Sequence, residues 1–165
     1  MTQPGLREII KFLGETPEAV RRLSAGLTAD QLKWKPTPTE FSFVEHVCHL
    51  RDIEQEGYGP RIEKLLNETE PFLPDLDGAK LAEERRYNAQ DFEMSLREFT
   101  GSRRENLGAV GDLPADNLSR GGTFEGVGPV TLETLIRMMC GHDREHRRAL
   151  ADLRERVSRG RAAGV

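Results

Sequence analysis

The chain is short of the devices that exported and membrane proteins depend on. Its 165 residues include two cysteines, too few for a disulfide framework, and a domain of this length needs none. No stretch approaches the ~20 consecutive apolar residues that span a bilayer, so no transmembrane helix is expected. The opening Met1-Thr2-Gln3-Pro4-Gly5-Leu6-Arg7-Glu8-Ile9-Ile10 turns charged and amphipathic at once, which is not the pattern of a signal peptide. Excess cationic charge is missing too: the formal net charge is −4, whereas general nucleic-acid binders are normally basic. Neither nucleic acid nor membrane is an expected partner, and a cytoplasmic location follows.

Several catalytic signatures are absent as well. There is no Gly-x-Ser-x-Gly elbow and no Ser-His-Asp arrangement. The glycine-rich Gly121-Gly122-Thr123-Phe124-Glu125-Gly126-Val127-Gly128 lacks the Lys-Ser/Thr of a phosphate-binding loop and reads as a flexible connection. No repeat occurs, and no stretch alternates strongly enough to predict a strand.

What remains is helical patterning. Charged residues make up 32% of the chain and hydrophobic ones 36%, a balance suited to long helices that each turn a wide face to water. Apolar residues recur at three- and four-residue spacing in four stretches. The first runs from about Leu6 to Leu27, with an interruption expected at Thr16-Pro17. The second runs from about Phe43 to Leu66, starting at a capping box of Ser42 and Glu45 and kinked near Gly57 and Gly59-Pro60. The third covers about Ala89 to Val110, and the fourth follows Thr131 to about Val157. The expectation is an all-α four-helix bundle forming one domain over 1–157, with a disordered tail over 158–165.

The chain has only four histidines, His46, His49, His142 and His146. Two fall on the second helix and two on the fourth. His142 and His146 stand at i, i+4, on one helix face that also carries Leu135, Met138, Met139, Ala149 and Leu153. That face points into the bundle, where burying several imidazoles without a shared purpose costs solvation energy. A third histidine from the second helix completes a three-imidazole set of the kind that holds zinc, nickel, iron or copper with an open position. On a helical wheel begun at Phe43, His46 lies near 300° and His49 near 240°, roughly. The apolar stripe of Phe43, Val47 and Leu50 sits near 0°, so periodicity prefers His46. Glu56 shares the wheel angle of His49 two turns on, as a general base or as a solvated surface glutamate. Cys48 and Cys140 each adjoin a histidine-bearing turn but do not share its face, and read as inert buried thiols. The arginines Arg147, Arg148, Arg154, Arg156, Arg159 and Arg161 read as a solvated face that complements the helix dipole.

Two segments carry a family resemblance. Phe41-Ser42-Phe43-Val44-Glu45-His46-Val47-Cys48-His49-Leu50-Arg51-Asp52-Ile53-Glu54 resembles the second-helix signature of the DinB-like (damage-inducible, YfiT-type) superfamily, and Gly141-His142-Asp143-Arg144-Glu145-His146 resembles its fourth-helix His-x-x-x-His. Leu27 to Pro36 and Glu84 to Asn88 agree further. The resemblance implies an up-down-down-up four-helix bundle with a divalent metal, zinc or nickel first and iron, manganese or copper next. Its ligands would be His49, His142 and His146, with His46 behind them. It also implies a metal-dependent S-transferase that conjugates a low-molecular-weight thiol, such as bacillithiol or mycothiol, to a small electrophile. A metal-dependent hydrolase, or a non-enzymatic metal-binding stress-response or dimerisation bundle, are the alternatives, and a homodimer is expected.

Overall fold

The computed structural model describes residues 5–162. Helix α1 spans Leu6–Ser24 without a break at Pro17, contrary to the interruption expected from the sequence. Proline removes the N–H that would bond the carbonyl of Leu13. Here Arg103 Nη1 donates to that oxygen instead, at 2.9 Å, so the helix loses no satisfied acceptor. A short α2, Ala29–Lys33, is opened by a Thr28–Gln31 capping box. Helix α3, Phe43–Asp52, starts at the expected Ser42–Glu45 box. It passes into one π-helical stretch, Ile53–Tyr58, before α4 at Gly59–Asn67. Pro60 cannot donate, and the N–H of Gly59 reaches back five residues to the carbonyl of Glu54, which inserts the extra residue.

Helix α5, Gly78–Glu84, and a 3₁₀ turn at Tyr87–Ala89 lie in the long crossing connection. Helix α6, Phe92–Val110, is capped by Asp91, and α7 is a single turn at Ala115–Leu118. Helix α8 runs from Leu132 to Ala162. The helix therefore continues through 158–162, where a disordered tail was expected; an i, i+4 pair between Glu155 and Arg159 at 3.3 Å supports this last part. The rest of that expected tail, 163–165, lies outside the described residues. Among the described residues, no helix is long and apolar enough to cross a membrane.

The expectation of no strands is corrected by a small three-stranded sheet. Strand β1, Phe72–Leu73, pairs in parallel with β2, Gly121–Phe124, which pairs antiparallel with β3, Gly128–Thr131. Elements of two and four residues are too short to show a period of two. Gly122 is needed here, because a Cβ at that position would stand 2.6 Å from the Pro71 carbonyl.

Two apolar clusters share the interior. Leu13, Ile62, Val110 and Leu135 belong to one, and Val20, Leu50, Leu96 and Leu150 to the other. Read from N- to C-terminus, α1 and α8 pass from the first cluster to the second, while α3–α4 and α6 pass from the second to the first. That is the up-down-down-up order. Along each long helix the two clusters are separated by a polar layer. In it Arg103 bonds Asp143 at 2.6 and 3.0 Å and Glu54 at 2.8 Å. Asn106 takes the other Glu54 oxygen at 2.9 Å. Glu54 and Asp143 are wholly buried and Arg103 is 2% exposed. Such charges persist inside a protein only when paired and hydrogen-bonded, as these are.

Candidate metal centre

The four histidines meet where α3 faces α8, two from each helix. His49 Nε2 lies 3.0 Å from His142 Nε2, and His142 Nε2 lies 3.1 Å from His146 Nε2. One nitrogen from each of these three rings falls within 4.8 Å of the others. His146 uses its second nitrogen as well: its Nδ1 is 2.8 Å from His46 Nδ1. The Nδ1 atoms of His49 and His142 are buried and have no hydrogen-bond partner. Both α3 histidines thus meet α8, His49 at the cluster of Nε2 atoms and His46 behind His146. The structure brings His49, His142 and His146 together and sets His46 against the other nitrogen of His146.

All four rings are held neutral at ordinary pH. Burial, reinforced by repulsion from His142, lowers the pKa of His46 to about 4. Burial together with His142 and His46 lowers that of His49 to about 3. His146 is lowered by burial and then by its three histidine neighbours. His142 is lowered chiefly by burial, with Asp143 acting in the opposite sense. Neutral imidazoles offer lone pairs, and three of them aimed at one point could hold a metal ion.

The surroundings are shaped around this cluster. Phe41 packs its ring 5.5 Å from His46 and 5.7 Å from His49, and Tyr58 stands 6.0 Å from His142. Gly78, at the start of α5, lies directly against His49: a Cβ there would fall 2.4 Å from Cε1 and 2.7 Å from Nδ1. A cavity of about 470 Å³ opens beside His46, bordered by Phe41, Ala79, Glu40, Asp152 and Arg156.

Glu56, read from the sequence as a general base or as a solvated surface glutamate, pairs with Arg85 at the surface. Its side chain is 44% exposed and both oxygens face Arg85, with Oε2 accepting from Nη2 at 3.0 Å. Glu56 lies within the π-helical stretch Ile53–Tyr58, whose wider turn departs from a wheel drawn at a constant angle. Arg85 also binds the buried Asp52, at 2.7 Å, together with Arg51 at 2.7 Å and Tyr87 Oη at 2.6 Å. Burial alone would raise the Asp52 pKa, but these three donors hold it below the usual carboxylate range. Cys48 Sγ turns to Ser95 Oγ at 3.4 Å, and burial raises its pKa. Cys140 is buried and likewise raised. Sequence reasoning missed Arg103 and Gly78. An arginine within an amphipathic helix carries the signal of a surface residue, and a glycine in a loop carries none of close contact with a distant ring.

A model of the DinB superfamily matches residues 13–150, a span that includes all four histidines. No curated protein matches the chain. Among solved structures, it resembles YfiT from Bacillus subtilis, characterised as a probable metal-dependent hydrolase with an unusual four-helix bundle topology. The TM-score is 0.85 at 19% identity, over 96% of this chain and 90% of the other. At that identity the likeness is one of fold.

Proposed function

This chain belongs to the DinB superfamily, and from that premise we propose that it is a metal-dependent enzyme transferring a low-molecular-weight thiol to a small electrophile. In this reading His49, His142 and His146 hold one divalent cation, zinc or nickel. The observation that carries it is the convergence of three neutral Nε2 atoms at 3.0 and 3.1 Å. Metal–imidazole bonds of about 2.0–2.1 Å place neighbouring ligand nitrogens about 3.0–3.4 Å apart. Without a proton or cation between them, three lone pairs that close repel. The buried Glu54, Arg103 and Asp143 set, with two carboxylates to one guanidinium, adds a net negative charge beside His142, which favours a cation.

Bound there, the ion would supply a Lewis acid that lowers the pKa of a small nucleophile. The chain's own residues shape what that nucleophile is. Cys48 and Cys140 are buried, and Cys48 is turned to Ser95, so the nucleophile comes from outside. None of the histidine ring bonds described above goes to a carboxylate, and Glu56 is committed to Arg85. A thiol, with a pKa of about 8.5, demands far less from its surroundings than water at about 15.7. In the transfer, sulfur forms a bond to the electrophilic carbon, the leaving group departs with its electron pair, and the thiol proton passes to solvent. The cavity beside His46, with Glu40, Asp152 and Arg156 on its wall, is room for a small electrophile next to the cluster, and it is His46, not one of the three ligand rings, that lines it. Hydrolysis, with water as nucleophile, is the second reading, favoured by the likeness to YfiT.

The test begins with zinc titrated calorimetrically into metal-free protein. One site is expected in the wild type and none in His142→Ala; retention of zinc by that variant overturns the ligand assignment. The zinc-loaded protein is then assayed with a chromogenic aryl halide plus a small thiol, and with a nitrophenyl ester without thiol. Thiol-dependent turnover that stops on chelation is expected. Ester cleavage alone would replace transfer by hydrolysis, and binding without either activity would refute the enzyme.

A further inference from the structure

His46 is the histidine that the metal reading leaves without a task. It is 9% exposed, its Nδ1 lies 2.8 Å from Nδ1 of His146, and its ring stands at 84° to that of His146. A hydrogen bond between two ring nitrogens needs one donor and one acceptor. Taking His146 Nε2 as a metal ligand, which rests on the reading above, the neutral His146 ring must carry its hydrogen on Nδ1. His46 Nδ1 is then the acceptor, and His46 keeps its own hydrogen on Nε2. Phe41, edge-on at 5.5 Å, packs the His46 ring from the side.

We propose that His46 is a positioning residue that selects the metal-ligating tautomer and ring orientation of His146. The other two ligand rings have no such support, because Nδ1 of His49 and of His142 is unpartnered. Ligand histidines usually donate to a carboxylate or a backbone carbonyl. Here the acceptor is a neutral imidazole, which orients the ligand without adding negative charge behind it. The ion therefore keeps more of its Lewis acidity than it would behind a carboxylate. The same ring lines the cavity, so His46 also separates whatever occupies the cavity from the ligand it holds.

The test uses cobalt(II) as the probe, with the wild type, His46→Phe, which keeps a ring but no acceptor, and His46→Gln, whose amide oxygen can accept. Cobalt affinity should fall about 10–100-fold in His46→Phe and recover for the most part in His46→Gln. In ¹⁵N-histidine-labelled zinc protein, long-range proton–nitrogen spectra should show His146 protonated at Nδ1 in the wild type and His46→Gln. Circular dichroism checks that each variant is folded; if His46→Phe is not, the Gln variant and the wild-type tautomer decide. Unchanged cobalt affinity in a folded His46→Phe overturns the role of His46 alone, whereas His146 protonated at Nε2 in the wild type removes Nε2 as a ligand atom and overturns the ligand assignment and this role together. Failure of the wild type to bind cobalt overturns the ligand assignment, and this role with it.

Discussion

Replacing Gly78 by alanine should weaken metal binding far more than it affects folding. The added Cβ would stand 2.4 Å from His49 Cε1 and 2.7 Å from Nδ1, where unstrained carbon contacts need about 3.5 Å. The His49 ring must therefore retreat by roughly 1 Å. Metal–ligand distances tolerate only about 0.2 Å, so the site is reduced to His142 and His146. Loss of a direct ligand should exceed the 10–100-fold that loss of an outer partner costs, giving a fall of about 100-fold or more in zinc affinity. Gly78 is the first residue of α5, where the interior preference of alanine over glycine, about 0.5–1 kcal/mol, offsets at most part of the cost of moving the ring. Metal-free Gly78→Ala should accordingly remain folded and melt within about 2–4 °C of the wild type. The assay pairs thermal melting without metal with calorimetric zinc titration. Zinc affinity indistinguishable from the wild type would refute the argument that Gly78 seats the ligand ring.

Arg103→Met leaves Glu54 and Asp143 buried without their partner and the Leu13 carbonyl without its donor. Urea unfolding should show a loss of about 3–5 kcal/mol, and a loss below about 1 kcal/mol would mean that the carboxylates find other partners. Acid should weaken the metal-free protein. The unfolded chain takes up protons on its histidines near pH 6.5, while the folded rings resist until about 4 at His46 and about 3 at His49. Stability from these groups is thus complete above pH 6.5, falls through that window and is gone below it; a flat urea-unfolding profile there would contradict the buried, neutral assignment. Chelation should leave the helical circular dichroism in place while lowering the melting temperature, because the two apolar clusters hold the bundle without a staple. Collapse of the helical signal would make the centre structural.

Local chemistry by itself determined the four long helices, the Ser42–Glu45 start of α3 and the i, i+4 histidine pair of α8, because periodicity and caps depend on near neighbours. Preferring His49 to His46 as a ligand needed the family resemblance, since periodicity favours His46; where each ring ends up is set by the packing of α3 against α8, which brings His49 to His142 and His46 to His146. Tertiary structure alone decided the rest. Pro17 stays within a helix because Arg103, 86 positions further along, takes the freed carbonyl. Glu56 turns to Arg85 because a π-helical residue shifts the phase that a wheel assumes constant. The short strands exist because Phe72–Leu73 meets a hairpin about fifty residues away, and so few residues carry no period of their own. Gly78 and Arg103 gain their meaning from His49 and Asp143. A side chain's partner across the fold is set by how the helices pack, and no spacing along the chain encodes that distance.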